Sequence, residues 1–213
     1  MVKTLLIIDN WERLLSPWLF SEYSFVADLF KSSLVFTNVT SKEMLQALSS
    51  LAKATPKGVR EFLAEINIPV SKVIILDPVA SEELRPEDLS RAEAVVIGGI
   101  MGDHPPKKRT YELITSKLSE AKAKNLGKEQ LTIAGAAYVL KKISEGLTLK
   151  DLDIRFGLTI KLNILNSSVE IFLPYAFPYE GGEPVLPKEY LRIIAMRSLY
   201  YESVELSYSE NLL

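Results

Sequence analysis

Hydrophobic positions along the chain alternate between short continuous runs and longer segments with helical spacing. The runs at Thr4 to Asp9, Ser33 to Val39, Val73 to Leu76 and Ala94 to Ile97 are rich in β-branched residues, which is typical of strands buried on both faces. Strands that alternate with helices imply parallel pairing. The sequence therefore predicts an α/β fold, with a mostly parallel sheet covered by helices on both faces.

Helical spacing is clearest from about Pro17 to Lys31. Ser41 can cap a helix that continues to about Lys53, and the next helix is expected to end near Glu65. A further helix is predicted from about Lys108 to Lys124, and another begins at the small residues 134–137. These helices would cover the sheet.

The pattern changes after Gly146, where hydrophobic and polar residues alternate. Phe156 to Ile164 has the alternation of a half-buried strand, residues 166–168 are typical of a turn, and Val169 to Tyr175 predicts the returning strand. We therefore expect an antiparallel hairpin added to the parallel core.

The chain has 213 residues, of which 47% are hydrophobic, so it can bury a sizeable core as one domain. After the hairpin, a short helix is expected near Pro187 to Met196, and Tyr200 to Leu213 is expected to form a peripheral strand or a tail. We predict a single domain over residues 1–213, in which residues 152–213 form a β-rich C-terminal extension.

The strand at Ala94 to Ile97 leads into a loop with unusual composition. Gly98, Gly99 and Gly102 have no Cβ, so a ligand can lie directly against their backbone, and Pro105 and Pro106 stiffen the segment that follows. Open α/β sheets bind ligands at the carboxyl ends of their strands. The spacing differs from both G-x-G-x-x-G and the phosphate loop, so phosphate binding is disfavoured. A purely structural strand-to-helix turn would explain the spacing equally well.

Composition narrows the possible chemistry. The chain has no cysteine and one histidine, which argues against disulfides, a thiolate nucleophile and a metal site. No apolar stretch approaches a membrane span, and the N-terminal segment lacks a signal-peptide layout, so we expect a cytoplasmic protein with no membrane partner. The net charge of −2 is unfavourable for independent nucleic-acid binding, and we expect no DNA partner.

A nine-residue string at 98–106, GGIMGDHPP, is the most specific feature of the sequence. With its surroundings it resembles one branch of the SPOUT methyltransferases, a branch that was first described as putative RNA methyltransferases. That branch includes a eukaryotic enzyme that methylates an arginine of a small-subunit ribosomal protein. The resemblance extends over most of the chain, through Leu76-Asp77-Pro78, Pro86-Glu87-Asp88, Arg109-Thr110, Ser16-Pro17-Trp18, Glu22-Tyr23-Ser24, Pro174 to Tyr179 and Pro184 to Pro187.

The resemblance implies a deep trefoil knot and a pocket for S-adenosylmethionine (SAM), which leaves as S-adenosylhomocysteine (SAH). Three loops would form the pocket, mainly through backbone groups. The expected cofactor-binding residues are Leu76, Asp77, Pro78, Ile97, Gly98, Gly99, Gly102, Asp103, His104, Leu126, Gly127, Gln130, Leu131 and Thr132.

Two carboxylates are the candidate catalytic residues, Asp103 and Glu22. An arginine acceptor is permanently charged, so carboxylates must polarise it before a nitrogen can accept a methyl group. A solvent-exposed helix glutamate is the competing interpretation of Glu22. His104 either accepts a proton or anchors the loop through hydrogen bonds, and we favour the anchor.

Substrate contacts are expected from a basic and an acidic cluster. Lys107 and Arg109 adjoin the glycine loop, where docking of a partner and a solvated first helical turn are both consistent with the sequence. Glu180 and Glu183 would form an acidic mouth for a basic substrate, although a solvated loop is the commoner explanation of such residues.

The resemblance favours SAM-dependent methylation of an arginine in a ribosomal protein. Methylation of an rRNA or tRNA base is the first alternative, and a non-catalytic ribosome-assembly factor is the second. Many SPOUT proteins pair through helices beside the knot, so both a monomer and a homodimer are compatible with the sequence.

Overall fold

A computed structural model describes residues 4–164 and 167–196 of the chain. Its centre is a sheet of six parallel strands, in the order β3-β2-β1-β5-β4-β6. The strands are β1 (Leu5–Asn10), β2 (Leu34–Thr37), β3 (Lys53–Ala54), β4 (Val73–Leu76), β5 (Ala94–Gly99) and β6 (Lys122–Lys124). The predicted parallel sheet is confirmed, and its strands present their carboxyl ends at one edge.

Six helices are connected to these strands. They are α1 (Pro17–Phe30), α2 (Lys42–Ser49), α3 (Val59–Glu65), α4 (Pro86–Leu89), α5 (Arg109–Leu113) and α6 (Ile133–Ser144). The side chains of Ser16, Ser41 and Thr132 accept backbone N–H groups at the starts of α1, α2 and α6, which satisfies donors that a helix leaves free. The expected cap at Ser41 is confirmed, but α2 ends at Ser49 and Lys53 lies in a strand.

The central strands are buried on both faces, as their continuous apolar runs predict. Alternate residues of β1 point to opposite sides of the sheet: Leu6 and Ile8 pack in the core with α1 and α6, and Ile7 packs in a second core with α3. Helices therefore cover both faces.

The predicted helix from Lys108 to Lys124 is wrong in its second half. Helix α5 ends at Leu113, and the chain then forms edge strand β6, which pairs with β4. The hydroxyl of Thr115 donates to Asp77 Oδ2 over 2.6 Å, so the segment after α5 is tied to the end of β4. Lys124 is buried and its Nζ lies 2.8 Å from Glu82 Oε2. These tertiary partners override the weak strand propensity of the sequence KAK.

The predicted hairpin is confirmed as a second, antiparallel sheet. Strands β7 (Asp153–Ile164) and β8 (Ser167–Glu180) pair along their length, and β9 (Glu183–Pro184) pairs with the end of β8. Residues 190–196 are helical, in agreement with the short helix expected there. The prediction for Tyr200 to Leu213 lies outside the described residues.

The two sheets meet beside the carboxyl edge of the parallel sheet, where Leu131 forms an isolated bridge with Ala176 of β8. The strand order and the hairpin agree with the SPOUT-like architecture, and the trefoil knot stays a prediction. No helix within 4–164 or 167–196 has the length and apolarity that crossing a membrane requires.

Candidate active site

The glycine loop starts at the end of β5, where Gly99 packs against β1 and α1. A Cβ at Gly99 would lie 2.3 Å from the Tyr23 hydroxyl and 3.0 Å from Asn10 Cα, so Gly99 is required by packing between neighbouring strands. Further along, a Cβ at Gly102 would lie 2.5 Å from Gln130 Nε2 and 2.7 Å from a ring carbon of Tyr175. The loop therefore passes tightly between the sheet and the hairpin.

A groove of about 80 Å³ lies between the ends of β4, β5 and β6, and we call it the cofactor groove. Ten of the expected cofactor residues line it: Leu76, Asp77, Pro78, Ile97, Gly98, Leu126, Gly127, Gln130, Leu131 and Thr132. Ile100, Thr110, Glu129, Ile133 and Ala136 complete the lining. Gly99, Gly102, Asp103 and His104 do not line the groove. Its walls combine apolar side chains with polar groups, as expected for binding a flat heterocycle that also carries hydrogen-bonding atoms.

Asp77 lines the groove and stabilises the turn that follows β4. Its carboxylate is 1% exposed and accepts the hydroxyl of Thr115 at 2.6 Å and the backbone N–H of Val79 at 3.1 Å. Both carboxylate oxygens are thus engaged by the protein, and Asp77 shapes the turn after β4.

A larger cavity of about 440 Å³ adjoins the cofactor groove, and we call it the acceptor cavity. Ile100 and residues 131–133 line both spaces, so a single wall separates them. The other lining residues come from α1, the glycine loop and the hairpin extension: Trp18, Glu22, Met101, Gly102, Ile171, Leu173, Pro174, Tyr175, Tyr190 and Ile194. The cavity is mainly apolar and aromatic.

Glu22 is the buried carboxyl group among the residues that line this cavity. The interpretation of Glu22 as a solvent-exposed helix residue is wrong, because the residue is only 1% exposed. Its Oε2 accepts the backbone N–H of Ala134 in the first turn of α6 at 2.6 Å. Its Oε1 has no partner in hydrogen-bond geometry among the described residues, although Thr132, Trp18 and Tyr190 face the carboxylate.

The environment of Glu22 changes its acidity. Burial raises the pKa of Glu22 from 4.5 to about 7, and the hydrogen bond from Ala134 only partly offsets this effect. The hydroxyl of Tyr190 is likewise buried without a partner among the described residues, and burial raises the pKa of Tyr190. The Tyr190 hydroxyl and the Glu22 carboxylate therefore face each other in one cavity without forming a well-aligned hydrogen bond, and a polar ligand group between them would satisfy both.

Asp103, the other predicted catalytic carboxylate, does not line the acceptor cavity. Its Oδ2 lies 2.8 Å from Nη2 of Arg109, and its Oδ1 lies 3.7 Å from Nζ of Lys107. Glu12, which sequence reasoning missed, approaches the same guanidinium, with Oε1 3.8 Å from Arg109 Nη1. Two expected substrate contacts, Lys107 and Arg109, are thus paired with a carboxylate of their own chain.

The remaining predicted residues lie at the edge of the site or outside it. His104 is exposed, next to the loop prolines. Glu180 forms a 2.7 Å ion pair with Lys142 on the last turn of α6, and neither Glu180 nor Glu183 lines the acceptor cavity. Tyr175 was not predicted, yet its hydroxyl donates to the Gly102 carbonyl at 2.9 Å and joins the hairpin to the glycine loop.

Comparison with known families agrees with this geometry. A family model described as "Protein arginine N-methyltransferase SFM1-like" matches residues 5–201. The chain belongs to the SFM1-like family. Its sequence is 29% identical over 199 residues to protein arginine N-methyltransferase SFM1 of Saccharomyces cerevisiae, and the match covers 88% of this chain and 92% of the yeast protein.

Solved structures resemble this SFM1-like chain over most of its length. The yeast arginine methyltransferase SFM1 complexed with SAM has a TM-score of 0.82 at 27% identity, with 92% of each chain covered. Its complex with SAH has a TM-score of 0.79 at 27% identity, covering 89% of this chain and 94% of that one. A dual-specific Trm10 of Thermococcus kodakaraensis, at 22% identity, shares the fold with a TM-score of 0.57 over 70% of this chain and 96% of its own.

The lining of the cofactor groove in this SFM1-like chain fits the adenine part of SAM. The groove supplies apolar flanks from Leu76, Ile100, Leu126 and Leu131, which suit an adenine ring. A Cβ at Gly98 would lie 3.1 Å from Ile100 Cδ1 and 3.3 Å from Thr110 Oγ1, so glycine keeps that wall open. The groove shares Ile100 and residues 131–133 with the acceptor cavity, so a cofactor held in the groove would lie directly beside that cavity.

Proposed function

We propose that the chain transfers the methyl group of SAM to an arginine side chain of a protein and releases SAH. One observation carries the proposal: the unpartnered Oε1 of Glu22 lies in an apolar cavity that shares a wall with the cofactor groove. A guanidinium needs a carboxylate when it leaves water, and Oε1 of this carboxylate faces the cavity without a well-aligned partner. Membership in the SFM1-like family supports the same activity.

Bound SAM supplies a methyl group that its sulfonium already activates, so the protein must mainly align the acceptor and exclude water. The groove residues at the ends of β4 and β5 and the loop before α6 would hold the cofactor. The aromatic walls of the acceptor cavity, Trp18, Tyr175 and Tyr190, would exclude water around the acceptor nitrogen.

Glu22 has two tasks in this mechanism. Its ionised form accepts an N–H of the guanidinium through Oε1, which concentrates electron density on the acceptor nitrogen. As the new N–C bond forms, that nitrogen gives up one proton. The raised pKa of Glu22, about 7, suits a group that must receive a proton near neutral pH.

A ribosomal protein is the acceptor we propose, and the cytoplasm is the proposed location. A basic protein complements a chain whose net charge is −2 and whose acceptor cavity contains a buried carboxylate. We propose that the chain is one domain with residues 152–213 as its extension, and that it acts as a monomer or a homodimer.

The test is transfer of labelled methyl from SAM into ribosomal particles of the source organism, followed by separate nuclease and protease digestion. Label lost to protease and recovered as methylarginine is expected. Glu22→Gln should reduce the rate by about 100-fold or more, because it removes the charge but keeps the shape. Glu61→Gln, on the exposed side of α3, is the matched control and should keep wild-type activity.

Three outcomes would contradict the proposal. Label that is released by nuclease and resists protease would assign the activity to RNA. A Glu22→Gln variant as active as Glu61→Gln would remove Glu22 from the mechanism. Failure to bind SAM or SAH at all would favour the non-catalytic assembly factor.

A further inference from the structure

The peptide groups around Met101 are held by side chains from outside the glycine loop. The Met101 N–H donates to Oε1 of Glu12 at 2.9 Å, and Glu12 lies on the loop that follows β1. The Met101 carbonyl accepts a hydrogen bond from Nη2 of Arg109, the first residue of α5. The next carbonyl, that of Gly102, accepts the hydroxyl of Tyr175 from the hairpin at 2.9 Å.

Three separate elements therefore fix two consecutive residues. Glu12 and Arg109 also lie close to each other, at 3.8 Å, and Arg109 is held further by Asp103 at 2.8 Å. Both Glu12 and Arg109 are partly shielded from solvent, with side chains 25% and 33% exposed. Glu12 and Arg109 each have at least two partners within the protein. Their side chains are therefore held in place and are not free to turn toward a ligand.

We propose that Glu12 and Arg109 are positioning residues, which clamp the Met101 peptide and thereby set the wall between the cofactor groove and the acceptor cavity. Ile100 lines both spaces, and Met101 and Gly102 line the acceptor cavity. This proposal rests on the proposed function in one respect: methyl transfer requires the cofactor groove and the acceptor cavity to be aligned with each other.

The clamp should affect the rate of transfer more than the affinity for the cofactor. Neither Glu12 nor Arg109 lines the cofactor groove, so SAH binding should depend on the clamp only indirectly, through the lining residues Ile100 and Thr110. Alignment of the acceptor with the methyl group depends on the whole wall, and a displacement of about 1 Å at such a place costs on the order of 100-fold in rate.

Two variants of Glu12 separate its hydrogen bond from its charge. Glu12→Gln keeps an oxygen that can accept the Met101 N–H, whereas Glu12→Leu removes both the acceptor and the charge. We expect Glu12→Leu to lower kcat by roughly 10- to 100-fold with the dissociation constant of SAH changed by less than about threefold. Glu12→Gln should stay within about fivefold of wild-type kcat, because the 2.9 Å bond remains.

Amide hydrogen exchange at Met101, measured on the protein without cofactor or acceptor, gives an independent readout. The Met101 N–H should exchange at least about tenfold faster in Glu12→Leu than in wild type, and at nearly the wild-type rate in Glu12→Gln. Arg109→Lys provides a second variant if Glu12→Leu does not fold. A lysine keeps the charge but lacks the two guanidinium nitrogens, of which Nη2 reaches Met101 and Asp103 and Nη1 approaches Glu12, so kcat should again fall.

Thr37→Val is the matched control for general destabilisation at the same edge of the sheet. It removes the 2.7 Å bond from Thr37 to Asp9 and should lower the melting temperature without changing kcat or Met101 exchange below the melting range. Equal Met101 exchange in wild type, Glu12→Gln and Glu12→Leu would overturn the clamp. So would a Glu12→Leu variant with wild-type kcat. An inactive wild type would contradict the proposed function and leave the exchange result to decide the clamp.

Discussion

Glu22 is a carboxylate whose surroundings make it a weaker acid. Its pKa is raised from 4.5 to about 7, chiefly by burial, so the folded protein holds the Glu22 proton more tightly than the unfolded chain does. The contribution of this group to stability is therefore fully present below about pH 4.5 and is lost as the pH rises through about 7. A shift of this size corresponds to roughly 3 kcal/mol.

Glu22→Gln should remove this pH dependence. Relative to wild type, the variant should become more stable as the pH rises from about 5 to about 8, by a few kcal/mol in the free energy of unfolding. Urea unfolding of both proteins at the two pH values measures the difference, and other titrating groups, including Asp9, cancel in the comparison. A difference between variant and wild type that does not change with pH would contradict the assigned pKa.

The sequence identified Glu22 as a candidate but did not predict its burial. Helical spacing places Glu22 near the apolar side of α1, which is all that local pattern can indicate. Its burial depends on the start of α6, where Ala134 donates to it, and on Tyr190 near the end of the described chain. Glu12 had no local signal at all, because its partners Met101 and Arg109 come from a distant part of the chain.

At the scale of elements, β1 and β5 pair at Gly99 without room for a side chain on β5. The side chain of Tyr23, the Ile8 methyl and the Asn10 backbone fill the space that a Cβ would need. Ile8 and Asn10 both belong to β1, so their atoms cannot move away without disturbing the sheet.

Gly99→Ala should therefore lower the free energy of unfolding by about 1–3 kcal/mol, as expected for overpacking. Gly58→Ala is the matched control, because a Cβ at Gly58 has no atom within 4 Å. Because Gly58 is the N-cap of α3, where glycine is preferred over alanine, the control should lose at most about 1 kcal/mol, partly offset by the reduced freedom of the unfolded chain. Thermal unfolding of the two variants measures the contrast, and equal stability would show that β1 and β5 can separate at no cost.

Helices and strands were predicted correctly where the hydrophobic pattern was strong. The prediction failed where a segment becomes a strand only because a neighbouring strand pairs with it. The apolar strands β1, β4 and β5 and the hairpin follow from their own residues. Strand β6 has the sequence KAK, which has low strand propensity, and forms because β4 offers an unpaired edge and because Glu82 and Asp88 accept Lys124. Such a strand cannot be predicted from its own composition.

At the scale of the molecule, the parallel sheet and the hairpin sheet join at the proposed site. The rings of Trp18 on α1 and Tyr190 in the extension lie 4.6 Å apart, and the bridge from Leu131 to Ala176 connects the cofactor loop with β8. A ligand at this junction would contact both sheets, so its binding should stabilise the whole fold.

SAH should therefore raise the melting temperature in proportion to the logarithm of its concentration. At a concentration 100 times its dissociation constant the gain is about 2.7 kcal/mol, which corresponds to a shift of roughly 5 to 10 °C for a chain of this size. Differential scanning fluorimetry measures the shift, with adenosine and homocysteine added separately as controls. An unchanged melting temperature at saturating SAH would exclude the groove as its binding site.

Glu22 has a structural role and a proposed catalytic role, which limits the residues that can replace it. One carboxylate oxygen holds the first turn of α6 and the other faces the cavity, so any replacement must satisfy the scaffold as well as the acceptor. Aspartate is one methylene shorter and would have to give up one of the two tasks. Trp18, Leu173 and Tyr190 line the same cavity. If relatives of this protein methylate a residue other than arginine, we expect substitutions at these three positions more often than at Glu22.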